Sequence, residues 1–181
     1  MYKRVDSTVN VFAPDGPEVK NYLVSINEYN SRKEKSTSWK EKVYIGPDYL
    51  EKMLTVKPGN VVVISGNNRM KTDYIKKCVD AGLNVLADKP MTISKAGFDE
   101  LKTAFAGAGK KKVLLYDIMT SRYEMSNILQ KAFSQVPELF GELQKGTLEN
   151  PGMVSERVHF FYKEISGVPL TRPDWYFDVK S

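Results

Sequence analysis

The chain has 181 residues, 41% of them hydrophobic and 27% charged, with a formal net charge of +5. That balance fits one well-buried domain with room for the start of a second. It excludes a strongly basic nucleic-acid binder, because the one basic run, Lys110-Lys111-Lys112, comes with no DNA- or RNA-binding motif and reads as a solvated loop.

No apolar stretch is long enough to cross a membrane, and Met1 to Ser7 do not form the core of a signal peptide. Cys78 is the only cysteine, so an internal disulfide is ruled out. The expectation is a reducing, cytoplasmic compartment, with Cys78 packed on the apolar side of a helix.

In chain order, Val9–Phe12 reads as a strand closed by Ala13-Pro14-Asp15-Gly16. A helix from Pro17 to Asn30 follows, with Val19, Leu23 and Ile26 on one face. The charged, serine-rich stretch Ser31–Lys42 reads as an exposed connection. Val43–Ile45 is a short strand, and Pro47 is placed to open a brief helix through Leu54. Val61–Ile64 is continuously apolar, the pattern of a parallel strand buried on both faces.

Ser65-Gly66-Asn67-Asn68 turns into a helix carrying Tyr74, Ile75, Cys78 and Val79, capped by Gly82. Leu83–Ala87 is the next strand and leads to Asp88-Lys89-Pro90. Ser94 is the expected N-cap of a helix with Phe98, Leu101 and Phe105 facing inward. Val113–Tyr116 is a further strand, and Arg122–Val136 a helix with Ile128, Leu129 and Phe133 inside. Five strands alternating with helices predict an α/β open parallel sheet with helices on both faces. Beyond Pro137 the alternation stops. Phe140–Leu148 and Ser155–Tyr162 each read as single strands, the expected edge of a sheet-rich α+β second domain, so the boundary is placed between residues 1–136 and 137–181.

In open parallel sheets ligands bind beyond the carboxyl ends of the strands, so the turns there are the candidates. At Gly66-Asn67-Asn68 a glycine admits close backbone approach to a ribose or phosphate, and a plain strand-to-helix turn fits equally well. Lys89, at the end of a strand and fixed by Pro90, stands where an acid/base group is wanted. In isolation a surface salt bridge in a turn explains it better. Lysines titrate at roughly 10.4 in water, so proton transfer near neutrality calls for burial or a nearby positive charge. Arg122 is placed to bind a substrate hydroxyl or carboxylate, or to decorate a helix start.

Together, these features resemble one family. The run Val61–Met91, with Asn68, Ala81-Gly82 and Lys89-Pro90 in register, resembles the signature of the glucose–fructose oxidoreductase/inositol dehydrogenase (Gfo/Idh/MocA) family. The segments "LLYDIMTSRYE", "VSERVHFFYKEISGVPLTRP" and "DWYFDV" further resemble one oxidoreductase branch of it.

The resemblance implies an NAD- or NADP-binding Rossmann domain, doubly wound, followed by an α/β domain whose open sheet shapes the substrate pocket and often a homo-oligomer interface. It implies that Gly66, Asn67, Asn68, Asp88, Lys89 and Pro90 meet the cofactor. It also implies that Lys89 is the catalytic residue at the reacting hydroxyl of a sugar-like substrate. Asp15 is the candidate for the adenine-ribose hydroxyls, and Arg122 for the substrate.

Several positions depart from the pattern. Asp88 replaces a glutamate, Gly66-Asn67 replaces Thr-Pro, and Lys71 stands where many members place a histidine. The only histidine, His159, matches no catalytic motif and is given a structural role, and no metal site is expected. No Gly-x-Gly-x-x-Gly turn occurs in these residues. The family's first strand and helix are therefore expected ahead of Met1, leaving two strands on one side and three on the other, or forcing them to pair directly. The expected function is hydride transfer at a secondary alcohol of a sugar or polyol, impaired in this chain. An NAD-dependent glycosidase and a non-catalytic Rossmann-like scaffold are the alternatives.

Overall fold

The structure, a computed structural model, describes residues 7–142, 144–154, 162–165, 167–178 and 180. The chain divides into two compact units, residues 1–117 with 162–181, and residues 118–161. In the first unit, β1 (Thr8–Ala13) is followed by α1 (Pro17–Ser31), β2 (Lys40–Ile45) and α2 (Tyr49–Val56). Then come β3 (Val61–Ile64), α3 (Lys71–Asp80), β4 (Asn84–Ala87), α4 (Lys95–Lys111) and β5 (Leu115–Asp117). Every pairing among these five strands is parallel, as the alternation with helices predicts.

The strands form two sheets. One is β1-β2 and the other is β3-β4-β5, so the five divide two and three. Phe12 stacks on Tyr44 across the first sheet, ring centroids 4.5 Å apart. Asn30, near the end of α1, organises the connection to β2: its amide donates to the Trp39 carbonyl (2.9 Å) and accepts from Thr37 Oγ1 (2.7 Å). The exposed connection predicted to run to Lys42 thus ends earlier, where β2 pairs with β1. Pro47 lies in the turn before α2 rather than opening the helix.

The core forms on one face of the three-stranded sheet. Helix α3 turns Ile75, Cys78 and Val79 inward against Val85 and Ala87 of β4, and α4 packs alongside through Leu101, Ala104 and Ala108. Burial of such side chains stabilises the fold by roughly 1.5–3 kcal/mol for each large one. The structure corrects two expectations here. Val61 and Val63 are 53% and 60% exposed, because successive side chains of a strand point to opposite faces and only Val62 and Ile64 face the core. Phe98 and Phe105 are also exposed, since the small residues Ala104 and Ala108, with Leu101, set the face along which α4 meets α3.

Helix ends follow the local signals. Gly82 has a φ of +79°, which allows its N–H to reach the Val79 carbonyl (2.9 Å) while Leu83 N–H reaches that of Cys78 (3.0 Å). Lys57 and Lys111 cover the neighbouring carbonyls of Ala81 and Asp80, both at 2.8 Å. Ser94 caps α4 as predicted, its hydroxyl accepting from Gly97 N–H at 3.0 Å.

The remainder departs further from expectation. The predicted helix Arg122–Val136 is a 3-10 turn, Thr120–Tyr123, followed by α5 (Met125–Phe133). Ile128, Leu129 and Phe133 are exposed, because among the described residues the second unit has no sheet on which α5 can pack. The predicted strand Phe140–Leu148 is also absent among the described residues: α6 (Pro137–Phe140) occupies its start, with Pro137 opening the helix. Of Ser155–Tyr162, residues 155–161 lie outside the described residues, and Tyr162 begins β6 (Tyr162–Ile165). That strand pairs antiparallel with β7 (Val168–Thr171). Arg172 then stacks its guanidinium over Tyr176 at 4.0 Å, inside the cluster Trp175-Tyr176-Phe177. No helix among the described residues is long and apolar enough to cross a membrane.

Cys78 supplies a pH-dependent test of the core. Burial pushes its thiol from an ordinary 9.0 up to about 11. The native state keeps a proton that the unfolded state loses, so this contribution is complete below about pH 9.0 and is lost as pH rises to about 11. Urea midpoints should therefore fall more steeply across that window for the parent chain than for Cys78→Ala. Equal slopes would contradict the assignment.

Candidate active site

Strands β3 and β4 are parallel and in register, with Ile64 opposite Ala87, so the turns after them emerge side by side. Asp88 N–H donates to the Ile64 carbonyl at 2.8 Å and fastens the second turn to the end of the first strand. In the turn after β3, Gly66 has a φ of +132°, where a side chain is strained, and a Cβ there would meet no atom within 4 Å. The backbone is thus open to close approach. Asn67 Oδ1 accepts from Arg69 N–H at 2.8 Å, which closes the turn.

After β4, Asp88 Oδ1 accepts from the N–H of Lys89 at 2.9 Å, and the Lys89–Pro90 peptide is cis. Lys89 is exposed. The two turns share a third residue, Lys71, at the start of α3. Its side chain is 1% exposed, and its ammonium donates to Asn68 Oδ1 (2.7 Å) and to the Asp88 carbonyl (3.0 Å). Burial pulls its pKa below the ordinary lysine value; Asp88 opposes that shift and Lys89 adds to it. Next to it, Thr72 donates to the Met91 carbonyl at 3.1 Å and holds the segment that leads into α4.

The sequence-predicted residues Gly66, Asn67, Asn68, Asp88, Lys89 and Pro90 therefore lie on two adjoining turns. Asp15 follows β1 at the end of the other sheet, exposed and paired with Lys20 at 3.5 Å. Arg122 belongs to the second unit, where it lines a cavity of about 550 Å³ with Asn127, Ile128, Lys131, Ala132 and Gln135. His159 lies outside the described residues. Lys71 is the residue that sequence reasoning left without a role. One signal pointed to it: a lysine in a first helical turn faces the positive end of the helix dipole, so its charge needs other partners.

A family model described as "Oxidoreductase family, NAD-binding Rossmann fold", that of the Gfo/Idh/MocA proteins, matches residues 8–116. The chain belongs to this family. A second model, "Putative oxidoreductase C terminal domain", matches residues 129–181. Among solved structures, a "putative oxidoreductase" from Parabacteroides merdae is 48% identical with a TM-score of 0.85, over 99% of this chain and 41% of that one. The chain thus spans about 41% of the length of that relative.

More distant similarities include an aldose–aldose oxidoreductase from Caulobacter crescentus, complexed with glycerol. It is 16% identical with a TM-score of 0.48, over 71% of this chain and 35% of that one. Another is the WlbA dehydrogenase from Bordetella pertussis, in complex with NADH and UDP-GlcNAcA. It is 17% identical with a TM-score of 0.44, over 72% of this chain and 41% of that one. No curated protein matches the chain. As a member of the Gfo/Idh/MocA family, the chain carries its two joined turns within the NAD-binding Rossmann region.

Proposed function

We propose that this chain carries the nicotinamide side of an NAD(P)-dependent oxidoreductase site acting on a secondary alcohol of a sugar or polyol. The observation that supports this most strongly is the joining of the Gly66–Asn68 and Asp88–Pro90 turns at the carboxyl ends of β3 and β4, with Lys89 exposed beside them. When bound, the nicotinamide ring supplies the hydride acceptor. Gly66 leaves backbone open to the nucleotide, and the Asn68 amide lies beside it. Lys89, as the neutral amine favoured by the nearby positive charge of an oxidised ring, holds the substrate hydroxyl and takes its proton as the carbon–hydrogen bond is broken. Asp15 offers a carboxylate to ribose hydroxyls, and Arg122 a cation to the substrate. In this reading residues 1–136 belong to the dinucleotide-binding domain, and residues 137–181 open its partner domain.

The division of the parallel strands into two and three supports a further part of this reading. A doubly wound sheet has the order 3-2-1-4-5-6, with the first strand central. The order β2-β1, then β3-β4-β5, corresponds to that arrangement without its central strand. The phosphate-binding turn that follows such a strand is likewise not found in these residues.

Calorimetry of the 181-residue chain with NAD⁺, NADH, NADP⁺ and NADPH should accordingly give a Kd on the order of 1 mM or weaker. A Kd near 1 μM would overturn this part of the reading. Product analysis with sugar polyols distinguishes the chemistry: net cofactor reduction marks the oxidoreductase, and sugar release without it marks a glycosidase.

A further inference from the structure

Lys71 sits where a cation is costly. It opens α3, at the positive end of the helix dipole, and its side chain is 1% exposed. A methionine would fill similar space without a buried charge, so packing alone does not account for an ammonium here. What an ammonium adds is donors, three of them with no acceptor. Two are directed to Asn68 Oδ1 at 2.7 Å and to the Asp88 carbonyl at 3.0 Å, one on each candidate turn. Because a lysine can only donate, Asn68 must turn its oxygen toward it, which fixes the orientation of that amide. The charged groups facing Lys71 are Asp88 and Lys89, both from the turn after β4, whereas the turn after β3 presents the neutral Asn68 amide.

We propose that Lys71 is a positioning residue whose ammonium locks the Asn68 amide to the Asp88–Pro90 turn, so that Asn68 and Lys89 meet a nicotinamide nucleotide as one preformed unit. The identity of the ligand rests on the oxidoreductase reading. The lock rests on geometry alone.

The test is an NMR titration of the 181-residue chain. As pH rises, the Lys71 side chain should lose its proton below the ordinary lysine value of 10.5. The backbone amides of Asn68 and Lys89 should shift at that same midpoint. In Lys71→Met the shared step should vanish at both amides while the β1 and α1 signals stay in place. Separate midpoints, or a step that survives the substitution, would overturn the lock. If Lys71→Met fails to fold, coincidence of the three midpoints in the parent chain decides the matter.

A parallel titration with NADH tests the positioning. Shifts at Asn68 and Lys89 should report one Kd, weakened at least about tenfold in Lys71→Met, as expected when a charged buried hydrogen bond is lost. Equal affinity in the two proteins would refute positioning. An NADH response confined to residues away from both turns would instead refute the oxidoreductase reading, with the lock still judged by the midpoints.

Discussion

Replacing Lys89 by methionine is expected to lower the rate of hydride transfer by roughly 10²–10⁴-fold, the usual contribution of a positioned acid/base group. The side chain is exposed at the end of β4, and its backbone N–H is tied to Asp88 Oδ1 at 2.9 Å. The substitution removes the amine while leaving the turn, the Ile64–Asp88 bond and the Lys71 contacts intact. Cofactor affinity should therefore change far less than rate. Single-turnover cofactor reduction followed over a range of nucleotide concentrations, with a panel of polyols, separates the two effects. A loss smaller than about tenfold would mean that Lys89 is not the proton-transfer group. A rate loss matched entirely by weaker nucleotide binding would assign it to binding alone.

The largest effect on stability is expected at Ile75. Its side chain is 0% exposed on the face of α3 that meets β4. Truncation to alanine leaves a cavity among Cys78, Val79, Val85 and Ala87, and should cost about 2–5 kcal/mol. That is a large share of the roughly 5–15 kcal/mol by which domains of this kind are stable. Val63→Ala is the natural comparison: Val63 is just as apolar but 60% exposed, and its truncation should cost no more than about 0.5 kcal/mol. Urea denaturation followed by circular dichroism measures both. Equal losses would contradict the one-sided packing of the three-stranded sheet.

The difference between those two residues also marks what the sequence makes legible. Strand β3 is visible in Val61-Val62-Val63-Ile64, but a continuous apolar run does not say whether both faces are covered. That depends on what packs against each face, and here the core covers the face of Val62 and Ile64 while Val61 and Val63 stay exposed. The same limit applies to Phe98 and Phe105 on α4: helical spacing predicts a stripe, while the contact with α3 chooses which part of it is buried.

Capping signals are local and held at Ser94 and Gly82, whose partners lie within a few residues. The β6–β7 hairpin was missed because Val168-Pro169-Leu170-Thr171 contains a proline, which argues against a strand interior and is tolerated at an edge. At the site, position along the strands marks the two turns as candidates, and the family resemblance assigns roles to Asn68 and Lys89 within them. The tie between their turns was not legible, because it runs through the side chain of Lys71 across space.

Lysine acetylation of the chain, read residue by residue by mass spectrometry with and without NADH at concentrations where it binds, tests whether the two joined turns hold the nucleotide. A nicotinamide nucleotide seated on the two joined turns should slow modification of Lys89. Lys95 and Lys102, whose side chains are 93% and 61% exposed on α4, should react at unchanged rates, and buried Lys71 should stay protected throughout. If Lys89 is modified equally fast with and without the nucleotide under conditions where binding is measured, the joined turns are not the nicotinamide site.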